Sequence, residues 1–250
     1  MKPRISVALI TRNEQHNIAE CLRSVAWADE IIVVDQGSTD GTAQLARELG
    51  ARVIDAPDWP GFGPQKNRAL DACTGDWILA LDADERVTPE LQHEIITSTA
   101  AGGHDVYEIP RLSSYCGRLI RHGGWTPDHV RRLFRRGSAR FSDALVHESL
   151  QTDRPVGRLH SALLHYSYRN LEDVLSKLNR YSTDNARMLL EQGARPSLSG
   201  ALAHGLAAFL RTYVLKLGFL DGRHGLMLAI SNAEGSYYKH AKAMLLSERS

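Results

Sequence analysis

The sequence has few cysteines, few aromatic residues and almost no excess of charge of either sign. Its three cysteines, Cys21, Cys73 and Cys116, are far apart and form no C-x-x-C pair. This spacing excludes a disulfide framework or a typical zinc site and suits a reducing cytosol. The formal net charge of +1 predicts no global attraction to nucleic acid. The N-terminus enters a strand-like run at residues 5–10 without the long apolar region of a signal peptide.

Strand-like and helical patterns alternate through about residue 100. The runs at residues 5–10, 31–34, 52–54 and 77–81 are largely apolar, and the stretches between them have helical spacing or helix-start signals. Continuous apolar strands are typical of parallel sheets that are buried on both faces. The sequence therefore predicts an α/β fold with an open, mostly parallel, Rossmann-like sheet.

Three polar clusters follow predicted strands, at residues 11–14, 35–40 and 82–85. In open parallel sheets, ligands bind outside the carboxyl ends of the strands, so we expect the clusters to converge there. Asp82 and Asp84 are two positions apart and would point the same way in extended backbone. Two carboxylates on one side suit Mg²⁺ or Mn²⁺, although a solvated strand end would have the same pattern.

Two of these stretches carry a family resemblance. Residues 33–42 (VVDQGSTDGT) and 81–85 (LDADE) resemble the two signatures of the family 2 glycosyltransferases, which have the GT-A fold. Gln36 stands where that family usually has Asp or Ser. Residues 121–125 (RHGGW) and 146–148 (VHE) are similar to the bacterial subgroup that glucosylates the lipopolysaccharide inner core.

The resemblance implies a role for each matching position. Asp84 would be the main ligand of Mg²⁺ or Mn²⁺, with Asp82 beside it. The metal would neutralise the diphosphate as it leaves. The nucleotide of a UDP-sugar would contact Thr11, Asn13, Glu14, Asp35, Ser38, Lys66 and Asp82.

The acceptor side is expected within residues 101–165. Residues 111–140 contain eight arginines and a single acid, Asp128, which predicts a site for phosphate or an anionic acceptor. Arg131, Arg132 and Trp125 are the candidate contacts, and an RNA-binding surface is the alternative. An inverting transfer needs a base for the acceptor hydroxyl. Glu148 is the first candidate for this base, and Asp143 is the second.

The C-terminal part, residues 166–250, is expected to be helical. An amphipathic pattern starts at Leu171 and ends near Gly193, and residues 198–220 are the most apolar run in the chain. Arg211 and Lys216 interrupt this run, which disfavours a transmembrane helix. A helix lying in the membrane interface, or one packed in a core or dimer contact, fits the pattern.

The sequence thus predicts two regions: a GT-A domain at residues 1–165, with its nucleotide-binding half at 1–100, and a C-terminal region at 166–250. The expected activity is inverting, metal-dependent transfer of a sugar, with glucose expected, from a UDP-sugar to a lipopolysaccharide-core or other lipid-linked glycan. The enzyme would lie peripherally on the cytoplasmic face of the inner membrane and bind no nucleic acid. The alternatives are an Arg-rich membrane- or RNA-binding module and a sugar-phosphate nucleotidyltransferase. The second alternative would need a glycine-rich loop after the first strand, where residues 11–15 contain no glycine.

Overall fold

The computed structural model describes residues 2–142 and 149–248, which divide into two compact units. The first unit is the chain up to Arg111 together with Asp128–His165. The second unit is Leu112–Pro127 together with the chain from Tyr166 onward. Residues 112–127, expected in the acceptor half of the first domain, therefore group with the C-terminal helices.

The strands and helices follow the predicted alternation. The strands are β1 (Ile5–Thr11), β2 (Glu30–Asp35), β3 (Arg52–Asp55), β4 (Trp77–Asp82), β5 (Glu85–Val87), β6 (Val106–Tyr115), β7 (Arg118–Leu119), β8 (Asp128–Arg135), β9 (Arg140–Phe141), β10 (Leu150–Gln151), β11 (Val156–Arg158) and β12 (Leu163–Tyr168). The helices are α1 (Gln15–Ser24), α2 (Thr42–Glu48), α3 (Phe62–Asp71), α4 (Pro89–Ala101), α5 (Leu171–Glu191), α6 (Leu198–Leu210) and α7 (Gly222–Ser247).

The main sheet has the strand order β3-β2-β1-β4-β8-β6-β12-β5. Strands β3, β2, β1 and β4 are parallel to their neighbours, as predicted, so their carboxyl ends share one edge. From β4 onward the pairing becomes antiparallel: β8 pairs with β4, β6 pairs with β8, and β12 pairs with β5. The antiparallel β5–β12 pair brings residues far apart in sequence next to the end of β4.

The parallel strands are buried on both faces. In β2 and β4, alternate side chains such as Val33 and Leu79 enter one apolar cluster, while Ile32 and Ile78 enter a second cluster on the opposite face. All four side chains are at most 2% exposed. The continuous apolar runs in the sequence follow from this double burial.

Helix starts agree with their sequence signals. Helix α4 begins at Pro89, and the side chain of Thr88 accepts a hydrogen bond from the Leu91 amide. Helix α5 begins after Asn170, whose side chain caps the amide of Asp173, and it ends at Glu191, close to the predicted Gly193. Such caps satisfy amides that have no partner inside the helix.

The apolar run at residues 198–220 forms α6 and two short turns instead of one continuous helix. Helix α6 ends at Leu210, a π-helical turn covers Arg211–Leu215, and a 3₁₀ turn covers Gly218–Asp221. A Cβ on Gly218 would lie 2.7 Å from the Thr212 carbonyl oxygen, so the chain reverses where only glycine fits. Helix α7 then packs against α5 and α6.

Candidate active site

A buried carboxylate, Asp35, lies at the carboxyl end of β2 beside the end of β1. Asp35 is 2% exposed and pairs in register with Thr11. It accepts hydrogen bonds from the Thr11 hydroxyl at 3.0 Å, from the Ser38 amide at 2.8 Å and from the Ser38 hydroxyl at 2.6 Å. These donors compensate the cost of removing the charge from water and fix the direction of the carboxylate.

The loops after β1 and β2 are joined by side-chain hydrogen bonds. The Asn13 amide donates to the Ser38 hydroxyl at 2.8 Å, and Asn13 Oδ1 accepts from the Thr39 amide at 2.8 Å. The Glu14 amide donates to the Thr42 hydroxyl at 2.8 Å. Asn13 has a φ of +55°, which asparagine tolerates better than most residues. The first two predicted clusters therefore converge into one polar surface.

Asp82, at the end of β4, lies between two cations. Lys66 Nζ is 3.0 Å from Oδ1, and Arg132 donates a short hydrogen bond to Oδ2. Burial alone would raise the pKa of Asp82, but the charges of Arg132 and Lys66 outweigh it and hold this pKa well below its ordinary value. Asp82 is therefore ionised and paired, with one oxygen committed to each cation.

Glu85, at the start of β5, is a fully buried carboxylate that anchors the same cation. Its side chain is 0% exposed and accepts from Arg132 at 2.8 Å and from the Asp82 amide at 3.0 Å. Arg111 lies 3.5 Å away. Burial would lower the pKa of Arg132, but Asp82 and Glu85 raise it above its ordinary value. In the sequence, Glu85 belongs to the third polar cluster, and its only signal is that it is a third carboxylate directly after a strand.

Asp84 faces a histidine that the sequence analysis missed. His165 Nε2 on β12 lies 3.3 Å from Asp84 Oδ2, and the two side chains are 17% and 26% exposed. His165 reaches Asp84 because β12 pairs with β5, and His165 lies opposite Glu85, the residue after Asp84. A lone histidine in the run LLHYSY, about 80 positions further along the chain, gives no local signal of this contact.

A carboxylate and an imidazole form a donor set that suits Mn²⁺ beside a nucleotide diphosphate, whereas Mg²⁺ would use mainly the carboxylate oxygen. Such ions commonly bind through one or two protein ligands plus phosphate oxygens and water. Within residues 2–142 and 149–248, no group of three or more His, Cys, Asp or Glu side chains is placed to hold a metal alone. The pair Asp84 and His165 therefore fits a metal that is completed by substrate.

Most arginines of the basic segment have partners within the protein. Arg111 contacts Asp128 at 2.7 Å, Arg135 contacts Asp105 at 2.9 Å, and Arg140 contacts Asp71 at 2.7 Å. Arg131, a predicted acceptor contact, donates to the Leu150 carbonyl at 3.2 Å. These partners explain much of the arginine excess as internal pairing, which removes the main argument for an RNA-binding surface.

The remaining predicted site residues are Trp125 and the two candidate bases. Trp125 belongs to the second unit, where its ring stacks on Tyr168 with centroids 5.9 Å apart and lines a cavity of about 210 Å³. The two candidate bases, Asp143 and Glu148, lie outside the described residues, so their roles stay predictions from the sequence.

Comparison with known proteins identifies the class of this enzyme. The pattern of Glycosyl transferase family 2 matches residues 6–148. An uncharacterized glycosyltransferase of Rickettsia prowazekii is 33% identical over 99% of this chain and 89% of its own length. The lipopolysaccharide core biosynthesis glycosyltransferase LpsC of Rhizobium meliloti is 32% identical over 95% of this chain and 93% of its own. The crystal structure of S. aureus TarS residues 1–349, in complex with UDP-GlcNAc, has a TM-score of 0.53, 17% identity, and coverage of 98% and 92%.

The chain belongs to glycosyltransferase family 2. Its fold is GT-A, with a mixed α/β sheet in which parallel strands dominate and a helical C-terminal region follows. The family assignment confirms the transferase class that the two signatures predicted. It sets aside the nucleotidyltransferase and the non-enzymatic module.

Proposed function

We propose that this enzyme transfers a sugar, with glucose expected, from a UDP-sugar to a lipopolysaccharide-core or other lipid-linked glycan, with inversion at the anomeric carbon. The observation that carries the proposal is the set of polar side chains at the carboxyl ends of the parallel strands. Asp35 ends β2 and Asp84 follows β4, and these two strands flank β1 in the sheet. The likeness to LpsC, a lipopolysaccharide core glycosyltransferase, supports the acceptor class.

Asp35 is the proposed contact for the uracil base. An ionised carboxylate offers about four lone-pair directions, and Thr11 and Ser38 occupy three of them. The remaining direction suits the imide N–H of uracil, which is a donor. Asn13 and Glu14 hold the neighbouring loops in place through their backbone amides, so the base would enter a preformed surface.

Asp84 and His165 are the proposed holders of Mg²⁺ or Mn²⁺. When bound, the metal supplies positive charge that stabilises the UDP leaving group. Asp82, which the sequence analysis paired with Asp84 as a ligand, has both oxygens engaged by Lys66 and Arg132. In the proposal Asp82 orients these two cations toward the nucleotide side, and Asp84 is the metal ligand.

Glu148 is the proposed base that takes the proton of the acceptor hydroxyl, with Asp143 second. Direct displacement inverts the anomeric centre, because the acceptor attacks opposite to the departing diphosphate. The base must therefore lie on the acceptor side, which the resemblance assigns to a segment that follows Asp82 and Asp84 in the chain.

A contact with the inner face of the membrane is proposed for the exposed side of α6. Leu198, Leu202, Leu206 and Leu210 recur every four residues and are 46–62% exposed. Residues 192–220 contain no acid, and they include Arg195, Arg211 and Lys216. The 18-residue stretch Leu198–Leu215 is also long and apolar enough to cross a membrane, by length and composition alone, and 17% of it is buried. We favour an interfacial position, since the exposed leucines lie on one side of the helix and residues 192–220 contain no acid that anionic headgroups would repel.

The test is UDP release from a panel of UDP-sugars, with and without Mn²⁺, using Asp84→Asn and His165→Gln. We expect turnover by the wild type to depend on Mn²⁺. Asp84→Asn should lower the turnover rate by at least about 10²-fold, and His165→Gln should need a higher Mn²⁺ concentration for half-maximal turnover. Asp105→Asn is the matched control, because Asp105 lies in the same unit and pairs with an exposed arginine. Metal-independent turnover, or normal turnover by Asp84→Asn, would contradict the metal assignment.

A further inference from the structure

We propose that a basic cavity in the second unit is a binding site for a phosphate group, separate from the nucleotide site. The cavity has a volume of about 660 Å³ and is bordered by α5, α6, α7 and the loop that precedes α6. Five basic side chains line it: Arg195, His204, Arg211, Lys239 and His240. No aspartate or glutamate is among its lining residues.

Three of the five basic side chains in this cavity carry a permanent positive charge. In the part of the chain that the structure describes, Arg195, Arg211 and Lys239 form no ion pair with a carboxylate. The rings of His204 and His240 are stacked, with centroids 3.9 Å apart and planes 3° from parallel. Burial lowers the pKa of His240, and the charges of His204 and Lys239 lower it further. Clustered cations repel each other, so an anion bound here would relieve the repulsion.

Phosphate is the anion that best fits the donors in this cavity. Arginine binds phosphate through two parallel N–H groups, and lysine adds a compact charge. The cavity is also lined by Ser197 and Gly200, at the start of the 13-residue α6, where backbone amides favour negative charge. The Ser197 side chain accepts from the Gly200 amide at 3.1 Å and lies 3.3 Å from the Ser199 hydroxyl, so it caps the start of α6 at the border of the cavity.

The cavity lies on a different face of α6 from the four exposed leucines described above, which form the leucine stripe. Its lining positions on α6 are Gly200, His204, Ala207 and Ala208, and Arg211 follows in the π-helical turn. At about 100° per residue, these positions centre roughly 160° from the exposed leucines. Phosphate recognition and membrane contact are therefore two separable properties of this helix, and they can be tested independently.

The test follows the ring signals of His204 and His240 by NMR in the full-length protein during titration with inorganic phosphate, against sodium chloride of equal ionic strength. Signals are assigned with His204→Gln and His240→Gln. We expect saturable shifts of both ring signals and a rise in the apparent pKa of His240, because a bound anion favours its protonated form. Arg195→Gln with Lys239→Gln should weaken phosphate binding at least about tenfold. The matched control is Arg223→Gln, an exposed cation on α7 outside the cavity.

Vesicles distinguish the source of the phosphate. If phosphatidylglycerol vesicles compete with inorganic phosphate and the double variant binds them less tightly, the cavity takes a lipid headgroup. If phosphate shifts both rings but vesicle binding is the same in both proteins, the cavity takes a soluble phosphorylated compound. Either result supports the site. Phosphate titrations that match the sodium chloride control, or an equal response in the double variant, would overturn it.

Discussion

Replacing Arg132 by methionine should destabilise the first unit strongly. The Arg132 side chain is 7% exposed and bonds both Asp82 and Glu85, and Glu85 is 0% exposed. Methionine fills much of the same volume but removes the charge and its donors. Glu85 would then keep its negative charge in a buried place with only Arg111, 3.5 Å away, as a nearby cation.

The expected loss follows from the cost of an uncompensated buried charge. Breaking a buried ion pair by removing one partner costs about 3–5 kcal/mol of unfolding free energy. For a chain of this size, that loss lowers Tm by roughly 6–20 °C. The charge of Arg132 also helps to keep the pKa of Asp82 low in the folded protein. A lowered carboxyl pKa stabilises the fold at every pH above the pKa that the same carboxyl has in the unfolded chain. This stabilisation is lost as the pH falls below that unfolded-state pKa. The difference between wild type and variant should therefore narrow below about pH 4.

Urea unfolding at pH 7.5 and at about pH 3 measures both effects. Arg140→Met is the control, since Arg140 and Asp71 are 59% and 58% exposed and such surface pairs are worth about 0–1 kcal/mol. Arg132→Lys keeps the charge but loses the two-pronged donor geometry, so its loss should be intermediate. A loss below about 1 kcal/mol for Arg132→Met at pH 7.5 would refute the reasoning.

Three further predictions concern donor, base and membrane. Asp35→Asn should weaken UDP binding about tenfold or more by calorimetry, because an amide cannot accept from all the present donors. Glu148→Gln should lower kcat by about 10²–10⁴-fold in UDP-release kinetics, with UDP affinity close to normal. Leu202→Gln with Leu206→Gln should weaken binding to anionic vesicles by roughly 10- to 30-fold in flotation assays, since both leucines are about 60% exposed and available to lipid.

Each of these predictions has a control. Asp55→Asn, on β3 in an exposed pair with Arg47, should leave UDP binding unchanged. If Asp143→Asn is inactive and Glu148→Gln turns over normally, the base is Asp143. Leu175→Gln changes a leucine on α5 that is 53% exposed, and it should leave vesicle binding unchanged. Equal vesicle binding by the double leucine variant and the wild type would assign the stripe to packing between protein surfaces.

The sequence predicts those parts of the fold that depend on local pattern. Apolar runs at β1, β2 and β4 marked doubly buried strands, and Pro89 marked the start of α4. The convergence of the loops after β1 and β2 followed from a general property of parallel sheets. These features do not depend on which distant segments pair, so the local sequence pattern is sufficient to predict them.

The missed features depend on pairing between distant segments. His165 reaches Asp84 only because β12 pairs antiparallel with β5. The arginines of residues 111–140 suggested an anion-binding surface, since their acidic partners Asp71, Asp82, Glu85 and Asp105 precede them in the chain. A basic segment in sequence is thus ambiguous until each arginine is matched to a carboxylate in the fold.

The three carboxylates of LDADE show how environment divides the roles of similar residues. Glu85 is fully buried, and its carboxylate is committed to holding Arg132. Asp82 is partly exposed, but two cations occupy its oxygens. Asp84 is partly exposed and faces an imidazole, which is itself a metal ligand when neutral. Of the three, Asp84 is therefore the carboxylate whose present partner, His165, is compatible with a metal. Asp82 and Glu85 instead hold the cations Lys66 and Arg132.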